Sequence, residues 1–125
     1  MKIISIIKTY YRTLIFAIII MIISFIPINS SNDSAFFNIP HLDKIVHVII
    51  YTTLSFIVLI EYVKNDSVAN QYLIVPLIFS FFYGGIIELA QLFIPGRGGE
   101  FLDVIANLAG CLISLPLYKL YYKFK

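Results

Sequence analysis

Apolar residues fall in four long runs that short polar segments separate. The runs cover residues 10–28, 45–63, 68–94 and 101–121. A transmembrane helix needs about 20 mostly apolar residues, so each run predicts one membrane-spanning helix. The connections support this division, because residues 29–38 are rich in serine and asparagine and residues 95–99 contain proline and glycine, which end helices. The pattern predicts an all-α membrane protein, a single domain of residues 1–125 folded as an antiparallel four-helix transmembrane bundle.

The composition agrees with a membrane location. The chain has 125 residues, enough for one domain, of which 60% are hydrophobic and 13% charged. A soluble domain of this size has too little polar surface to cover so much apolar mass, whereas a lipid bilayer solvates it directly. The net charge of +2 is too small to suggest nucleic acid, and the one cysteine, Cys111, excludes a disulfide within the chain.

The basic residues predict the orientation of the bundle. Seven of them flank the two ends of the chain or lie in the second connection: Lys2, Lys8, Arg12, Lys64, Lys119, Lys123 and Lys125. The other two, Lys44 and Arg97, lie by the first and third connections. Because lysine and arginine concentrate on the cytoplasmic side, both termini are expected there.

The start of the chain has a second interpretation. Basic residues before an apolar core also resemble a signal peptide, although no A-x-A cleavage pattern follows. We therefore expect this segment to be retained as the first helix. Between Leu14 and Ile28 its only polar residue is Ser24, which predicts a lipid-facing support.

Polar residues that interrupt the other runs gather at one end of the predicted bundle. They are Asp43, Lys44 and His47 at the start of the second helix, Glu88 and Gln91 near the end of the third, Arg97 in the next connection, and Asp103 and Asn107 at the start of the fourth. Three pairs are three or four residues apart and share a helix face: Asp43 with His47, Glu88 with Gln91, and Asp103 with Asn107. A charge inside a membrane helix costs about 2.5 kcal/mol or more, so these groups should point inward and pair. We expect pairs of Glu88 with Arg97, and of Asp103 with Arg97 or Lys44.

Each of these residues also has a purely structural explanation. Asp43 is suited to capping a helix, Arg97 to anchoring at the interface, and Asn107 and Gln91 to hydrogen bonds between helices. Glu61 lies at the cytoplasmic end of the predicted second helix, so its side chain is expected to extend to the interface.

Four short segments in a fixed order resemble the VanZ-like family. They are Asp43–His47 (DKIVH), Glu88–Gln91 (ELAQ), Pro95–Arg97 (PGR) and Asp103–Gly110 (DVIANLAG). The resemblance implies a multi-pass protein of the bacterial cytoplasmic (inner) membrane. The family takes its name from a member that confers resistance to the glycopeptide antibiotic teicoplanin. Its motif positions fall here on Asp43, Lys44, His47, Glu88, Gln91, Arg97, Asp103, Asn107 and Gly110.

The preferred functional hypothesis is binding or modulation of an anionic lipid-linked component of the cell envelope. Lys44, His47 and Arg97 could hold the phosphate of such a lipid, for example a phosphorylated polyprenyl lipid.

Two alternatives remain open, so the sequence leaves undecided whether the protein is an enzyme. One is a membrane-embedded hydrolase or transferase acting on a phosphate-linked lipid, with His47, Glu88 and Asp103 as catalytic candidates. These residues with Asp43 could also hold a divalent metal, but no H-E-x-x-H motif supports it, so no metal or other cofactor is assigned. The other alternative is a structural or assembly partner.

Overall fold

The computed structural model describes residues 1–26, 40–65 and 68–125. These residues form five α-helices and one 3-10 turn, and the described part of the chain contains no strand. The helices are α1 (Lys2–Thr9), α2 (Tyr11–Phe25), α3 (Leu42–Asn65), α4 (Ile74–Gln91) and α5 (Phe101–Phe124), and the turn is Ala69–Gln71. The prediction of an all-α protein is confirmed for these residues.

Three of the helices, α3, α4 and α5, are long and apolar enough to cross a membrane. Helices α1 and α2 meet at a bend of 75° and provide a fourth crossing if they are taken as one span. The described residues therefore supply three to four candidate spans. The complete four-span bundle and its orientation remain predictions.

Helices α3 and α5 form the closest pair in the bundle and run in the same direction. Gly110 makes the approach possible, because a Cβ atom there would lie 2.6 Å from the backbone oxygen of Val48. The Thr52 hydroxyl donates to the Gly110 carbonyl at 3.1 Å, and the Ser114 hydroxyl donates to that of Ser55 at 2.9 Å. Small and hydroxyl-bearing residues are typical of contacts between membrane helices. This pairing places the first turns of α3 and α5 side by side.

Helix α4 starts later than the apolar run suggested. The run begins at Val68, but α4 extends over Ile74–Gln91 and the 3-10 turn precedes it. Pro76 therefore lies in the first turn of α4. The first N–H groups of a helix have no partner within that helix, so a proline is tolerated there without a kink in the middle of a span.

Glu61 is buried and binds the start of α2, which corrects the prediction that it extends to the interface. Only 5% of the residue is exposed. Its carboxylate accepts hydrogen bonds from the backbone N–H groups of Arg12 and Thr13, both at 3.1 Å, and from the Thr13 hydroxyl at 2.7 Å. These N–H groups lie in the first turn of α2, where a helix leaves its donors unpaired. Glu61 therefore caps α2 from the neighbouring helix α3.

Candidate functional site

The starts of α3 and α5 and the end of α4 bring four polar side chains together. His47 Nδ1 lies 2.9 Å from Asn107 Oδ1 and 3.4 Å from Glu88 Oε1. On the other side of the ring, His47 Nε2 lies 3.9 Å from Asp103 Oδ2. Because the Asn107 oxygen can only accept, Nδ1 is the donor in this hydrogen bond, and a neutral His47 keeps its lone pair on Nε2. We call His47, Glu88, Asp103 and Asn107 the inner cluster.

The inner cluster is nearly closed off from solvent. Glu88 and Asp103 are 4% and 6% exposed, and Asn107 is fully buried. Among the described residues, neither oxygen of the Glu88 carboxylate has a hydrogen-bond partner, and the Asn107 amide nitrogen also lacks one. A buried polar group without a partner costs about 1–3 kcal/mol, and a charged one costs more. The cluster therefore lowers the stability of the fold, which is typical of a functional site.

Lys44 lies at the outer edge of the inner cluster among three carboxylates. Its ammonium group contacts Asp43 and Glu100, and its Nζ lies 3.0 Å from Asp103 Oδ1. The predicted pair of Asp103 with Lys44 is confirmed. Asp103 therefore contacts Lys44 with one oxygen and faces His47 with the other.

Glu100 was not predicted as part of this group. It is the N-cap of α5, one helical turn before Asp103. That three-residue spacing was the signal that could have identified it. More than half of the Asp43 and Glu100 side chains are exposed, so this edge is where the cluster opens.

Tyr51 completes the packing of the inner cluster and was also missed. Its ring stacks on His47 with a centroid distance of 6.3 Å and an interplanar angle of 11°. Gly84 on α4 provides the space, because a Cβ atom there would lie 2.8 Å from Tyr51 Cε1 and 2.9 Å from Asn107 Nδ2. The four-residue spacing from His47, which places both rings on one face of α3, was the sequence signal that could have identified it.

Gln91 and Arg97 do not join the inner cluster, although the sequence placed them in the site. The Gln91 amide donates to the Ser24 carbonyl at 3.0 Å. Arg97 donates from Nε to the Ile26 carbonyl and from Nη2 to the Ile23 carbonyl, both at 3.0 Å. These carbonyls belong to the end of α2, where a helix leaves its acceptors unpaired. The expected Glu88–Arg97 pair is therefore wrong, and α2 is bound through polar contacts at both ends rather than serving only as a lipid-facing support.

The charge of the assembled group is negative. Four carboxylates lie close together, those of Asp43, Glu88, Glu100 and Asp103, against one lysine and one imidazole. With Arg97 directed elsewhere, this arrangement favours a bound cation or a proton over a bare anion. One imidazole nitrogen and one oxygen each from Glu88 and Asp103 lie within 4.8 Å of one another, so these side chains could share one metal ion.

Comparison with known proteins agrees with the four motifs of the sequence. The VanZ/LLP1 family model matches residues 5–122, nearly the whole chain. No curated protein and no solved structure matches it. The chain therefore belongs to the VanZ/LLP1 family.

Proposed function

We propose that this membrane protein binds the phosphate-bearing head group of an envelope lipid at the end of the bundle where α3 and α5 begin. One observation carries the proposal: three candidate membrane helices contribute a nearly buried polar cluster whose open edge holds Lys44. Buried ionisable groups in membrane helices are costly, and they usually mark the path or the site of a ligand. A site near a helix end also lies at the depth of lipid head groups.

The orientation is part of the same proposal. Four spans with both termini in the cytoplasm put the inner cluster on the outer side of the membrane, as the distribution of lysine and arginine favours. Labelling of intact cells with a membrane-impermeant maleimide tests it. Gly98→Cys, in the connection before α5, should react, and Lys64→Cys at the opposite end should not. The reverse result would place the cluster on the cytoplasmic side.

Among the residues that the structure describes at this end of the bundle, Lys44 is the cation available to the phosphate. Arg97 binds backbone carbonyls of α2, and Lys44 is surrounded by carboxylates. An incoming phosphate must therefore replace at least one carboxylate partner of Lys44 or arrive with a cation. Asp43 and Glu100 are the partners that can move away, because both side chains are more than half exposed.

Binding of two matched lipids tests this function. The full-length protein in nanodiscs should bind a polyprenyl phosphate at least about tenfold more tightly than the same polyprenol without phosphate. The Lys44→Gln variant should lose this preference, because its amide cannot form a charged contact with phosphate. Equal affinity of the wild type for the two lipids would overturn the proposal.

A lysine elsewhere provides the control. Lys119 is exposed near the end of α5, far along the helix from the cluster. The Lys119→Gln variant removes the same charge and should keep the preference for the phosphate form. If both variants lose it equally, the effect comes from the overall charge of the protein rather than from the site.

A second candidate function is hydrolysis or transfer of the phosphate-linked group. The observation that favours it is the position of His47, which lies between the Glu88 and Asp103 carboxylates with one ring nitrogen held by Asn107. This arrangement provides a general base and an acid near the same point. Release of phosphate or of polyprenol by the wild type, abolished in Glu88→Gln, would support it. Lipid binding without turnover would support the binding function and exclude the catalytic one.

Resistance to glycopeptides would follow from either function if the bound lipid is a cell-wall precursor. Binding or alteration of the precursor would change the amount of precursor that the antibiotic can bind at the cell surface. Expression of the wild type should then raise the inhibitory concentration of teicoplanin, and Lys44→Gln at the same protein level should not. Equal susceptibility with and without the wild type would remove this consequence and leave the lipid-binding test unaffected.

A further inference from the structure

We propose that His47, Glu88 and Asp103 form a binding site for one divalent transition-metal ion, such as Mn²⁺ or Zn²⁺. These three residues belong to three different helices, so a bound ion would link α3, α4 and α5 at one point. The proposal of a metal site is based on the geometry of these residues and does not depend on lipid binding. The role that we assign to the ion in binding a phosphate rests on the function proposed above.

The ligand atoms lie close enough to share one ion after rotation of the side chains. One imidazole nitrogen and one oxygen from each carboxylate lie within 4.8 Å of one another. With metal–nitrogen and metal–oxygen bonds of about 2.0–2.2 Å, the ligands of a tetrahedral ion lie about 3.4 Å apart. Glu88 lies beside Nδ1 and Asp103 beside Nε2, so rotation of the carboxylate side chains by about 1 Å or more would bring their oxygens onto one ion.

The surroundings of the Glu88 carboxylate are an independent indication that a cation binds here. It is 4% exposed, and among the described residues neither of its oxygens has a hydrogen-bond partner. By contrast, the equally buried Glu61 has three donors. A buried carboxylate is stable only when it is paired, protonated or bound to a metal. His47 Nδ1 lies 3.4 Å from Glu88 Oε1, but its proton is directed to Asn107.

Asn107 accepts a hydrogen bond from His47 in the same way that neighbouring oxygens do from metal-binding histidines. Ligating histidines commonly donate their second ring N–H to a neighbouring oxygen, which fixes the tautomer and the ring orientation. The hydrogen bond of His47 Nδ1 with Asn107 Oδ1 at 2.9 Å has this form, and it leaves the lone pair of Nε2, on the side of Asp103, for a metal. Tyr51 stacks on the same ring and restricts its rotation.

The second group of carboxylates is not a metal site of this kind. Asp43, Glu100 and Asp103 also lie close together, but the Lys44 ammonium already contacts all three. Lys44 neutralises this outer group and contacts the inner cluster at Asp103 Oδ1, whereas no described lysine or arginine forms an ion pair with Glu88. One imidazole with two carboxylates suits Mn²⁺ or Zn²⁺ better than Ca²⁺ or Mg²⁺, which prefer oxygen ligands alone.

An ion at this position would resolve the conflict between an acidic cluster and an anionic ligand. Three protein ligands leave at least one coordination position open, as in catalytic metal sites. A phosphate oxygen could fill that position while Lys44 contacts a second oxygen. The ion and Lys44 would then replace the pair of cations, Lys44 and Arg97, that the sequence suggested.

Binding of Mn²⁺ alone tests the site in the wild type. The full-length protein in detergent, treated with a chelator and then freed of it, is titrated with Mn²⁺ while electron paramagnetic resonance measures the free ion. We expect one bound Mn²⁺ per chain, which Zn²⁺ displaces. No binding of either ion at millimolar concentration would overturn the proposal, whatever the variants do.

Two glutamine variants locate the ion. Glu88→Gln keeps the size of the side chain, removes one ligand and should weaken Mn²⁺ binding by more than about tenfold, since loss of an outer partner alone costs about 10–100-fold. Glu100→Gln is the comparison variant, because it removes a carboxylate of the outer group that is not one of the three ligands, and its effect on the affinity should be smaller than that of Glu88→Gln. A larger effect of Glu100→Gln than of Glu88→Gln would place the ion in the outer group and overturn the assignment.

Lipid binding with and without Mn²⁺ separates this inference from the proposed function. If Mn²⁺ increases the affinity for polyprenyl phosphate at least about tenfold, both are supported. If Mn²⁺ binds but lipid affinity does not depend on it, the metal site stands and its link to the phosphate fails. If the lipid binds with phosphate preference and no ion binds, the proposed function stands and the metal site fails.

Discussion

Two glutamates, Glu61 and Glu88, are equally buried near opposite ends of the same bundle and have opposite surroundings. Glu61 is 5% exposed and accepts three hydrogen bonds from the start of α2. Glu88 is 4% exposed, lies beside His47 at 3.4 Å, and no described residue hydrogen-bonds to its oxygens. The two side chains have the same chemistry and nearly the same burial, so they differ in the hydrogen-bond donors that the fold supplies.

This difference separates a structural carboxylate from one available for function. A buried charge whose oxygens are all satisfied stabilises the elements that donate to it. A buried charge without donors destabilises the fold, and it persists where a ligand, proton or ion compensates it. Glu61 therefore belongs to the architecture and Glu88 to the candidate site. Burial by itself would have ranked them equally.

The largest expected effect on stability is that of Glu61→Gln. The substitution puts an uncharged amide in place of the carboxylate, and its NH₂ group would face the N–H and O–H donors of Arg12 and Thr13. The free energy of unfolding should therefore fall by about 2–3 kcal/mol. Unfolding in mixed micelles, followed by helix content, measures this change.

Glu88→Gln is the matched control for that prediction. It removes the same charge from a site without hydrogen-bond donors, so the stability without added metal should stay within about 1 kcal/mol of wild type or rise. If Glu88→Gln destabilised the protein as much as Glu61→Gln, the distinction between the two carboxylates would be wrong.

A methyl group at Gly84 tests how tightly the inner cluster is packed. In Gly84→Ala the new Cβ would lie 2.8 Å from Tyr51 and 2.9 Å from Asn107, so stability should fall by about 1–3 kcal/mol and Mn²⁺ binding should weaken. Gly85→Ala is the control, because nothing lies within 4 Å of its Cβ position. Equal thermal stability of the two variants would show that the cluster is looser than the structure indicates.

Thr13→Val removes one of the three donors to Glu61 and keeps the shape of the side chain. The two backbone N–H donors remain, so the expected loss is about 1 kcal/mol, well below that of Glu61→Gln. The same unfolding measurement provides the comparison. A loss as large as that of Glu61→Gln would mean that the hydroxyl, rather than the cap of α2, dominates this end.

The smallest effect is expected for Arg97→Lys. Lysine cannot reproduce the two directed contacts of the guanidinium with the end of α2, and the loss should be about 0.5 kcal/mol. Mn²⁺ affinity should not change, because Arg97 lies outside the inner cluster. A decrease of more than tenfold in Mn²⁺ or lipid binding would return Arg97 to the site, as the sequence had suggested.

The residues that formed the site as predicted are those whose partners follow from helix geometry. Asp43 and His47 share one face of α3, Asp103 and Asn107 share one face of α5, and both helices begin at the same end. Residues outside regular helices were not predictable in this way. The contact of Arg97 depends on where the end of α2 lies, and no spacing within the chain encodes that position.

The sequence by itself determined the apolar helices, the membrane environment, the family and the end of the bundle where polar groups collect. These follow from local hydrophobic length and from motifs within single helices. Only the tertiary structure decided which buried carboxylate is satisfied, that Gln91 and Arg97 bind α2, and that Glu100 and Tyr51 join the site. Such contacts link residues far apart in the chain, and packing fixes them by distances that no local pattern contains.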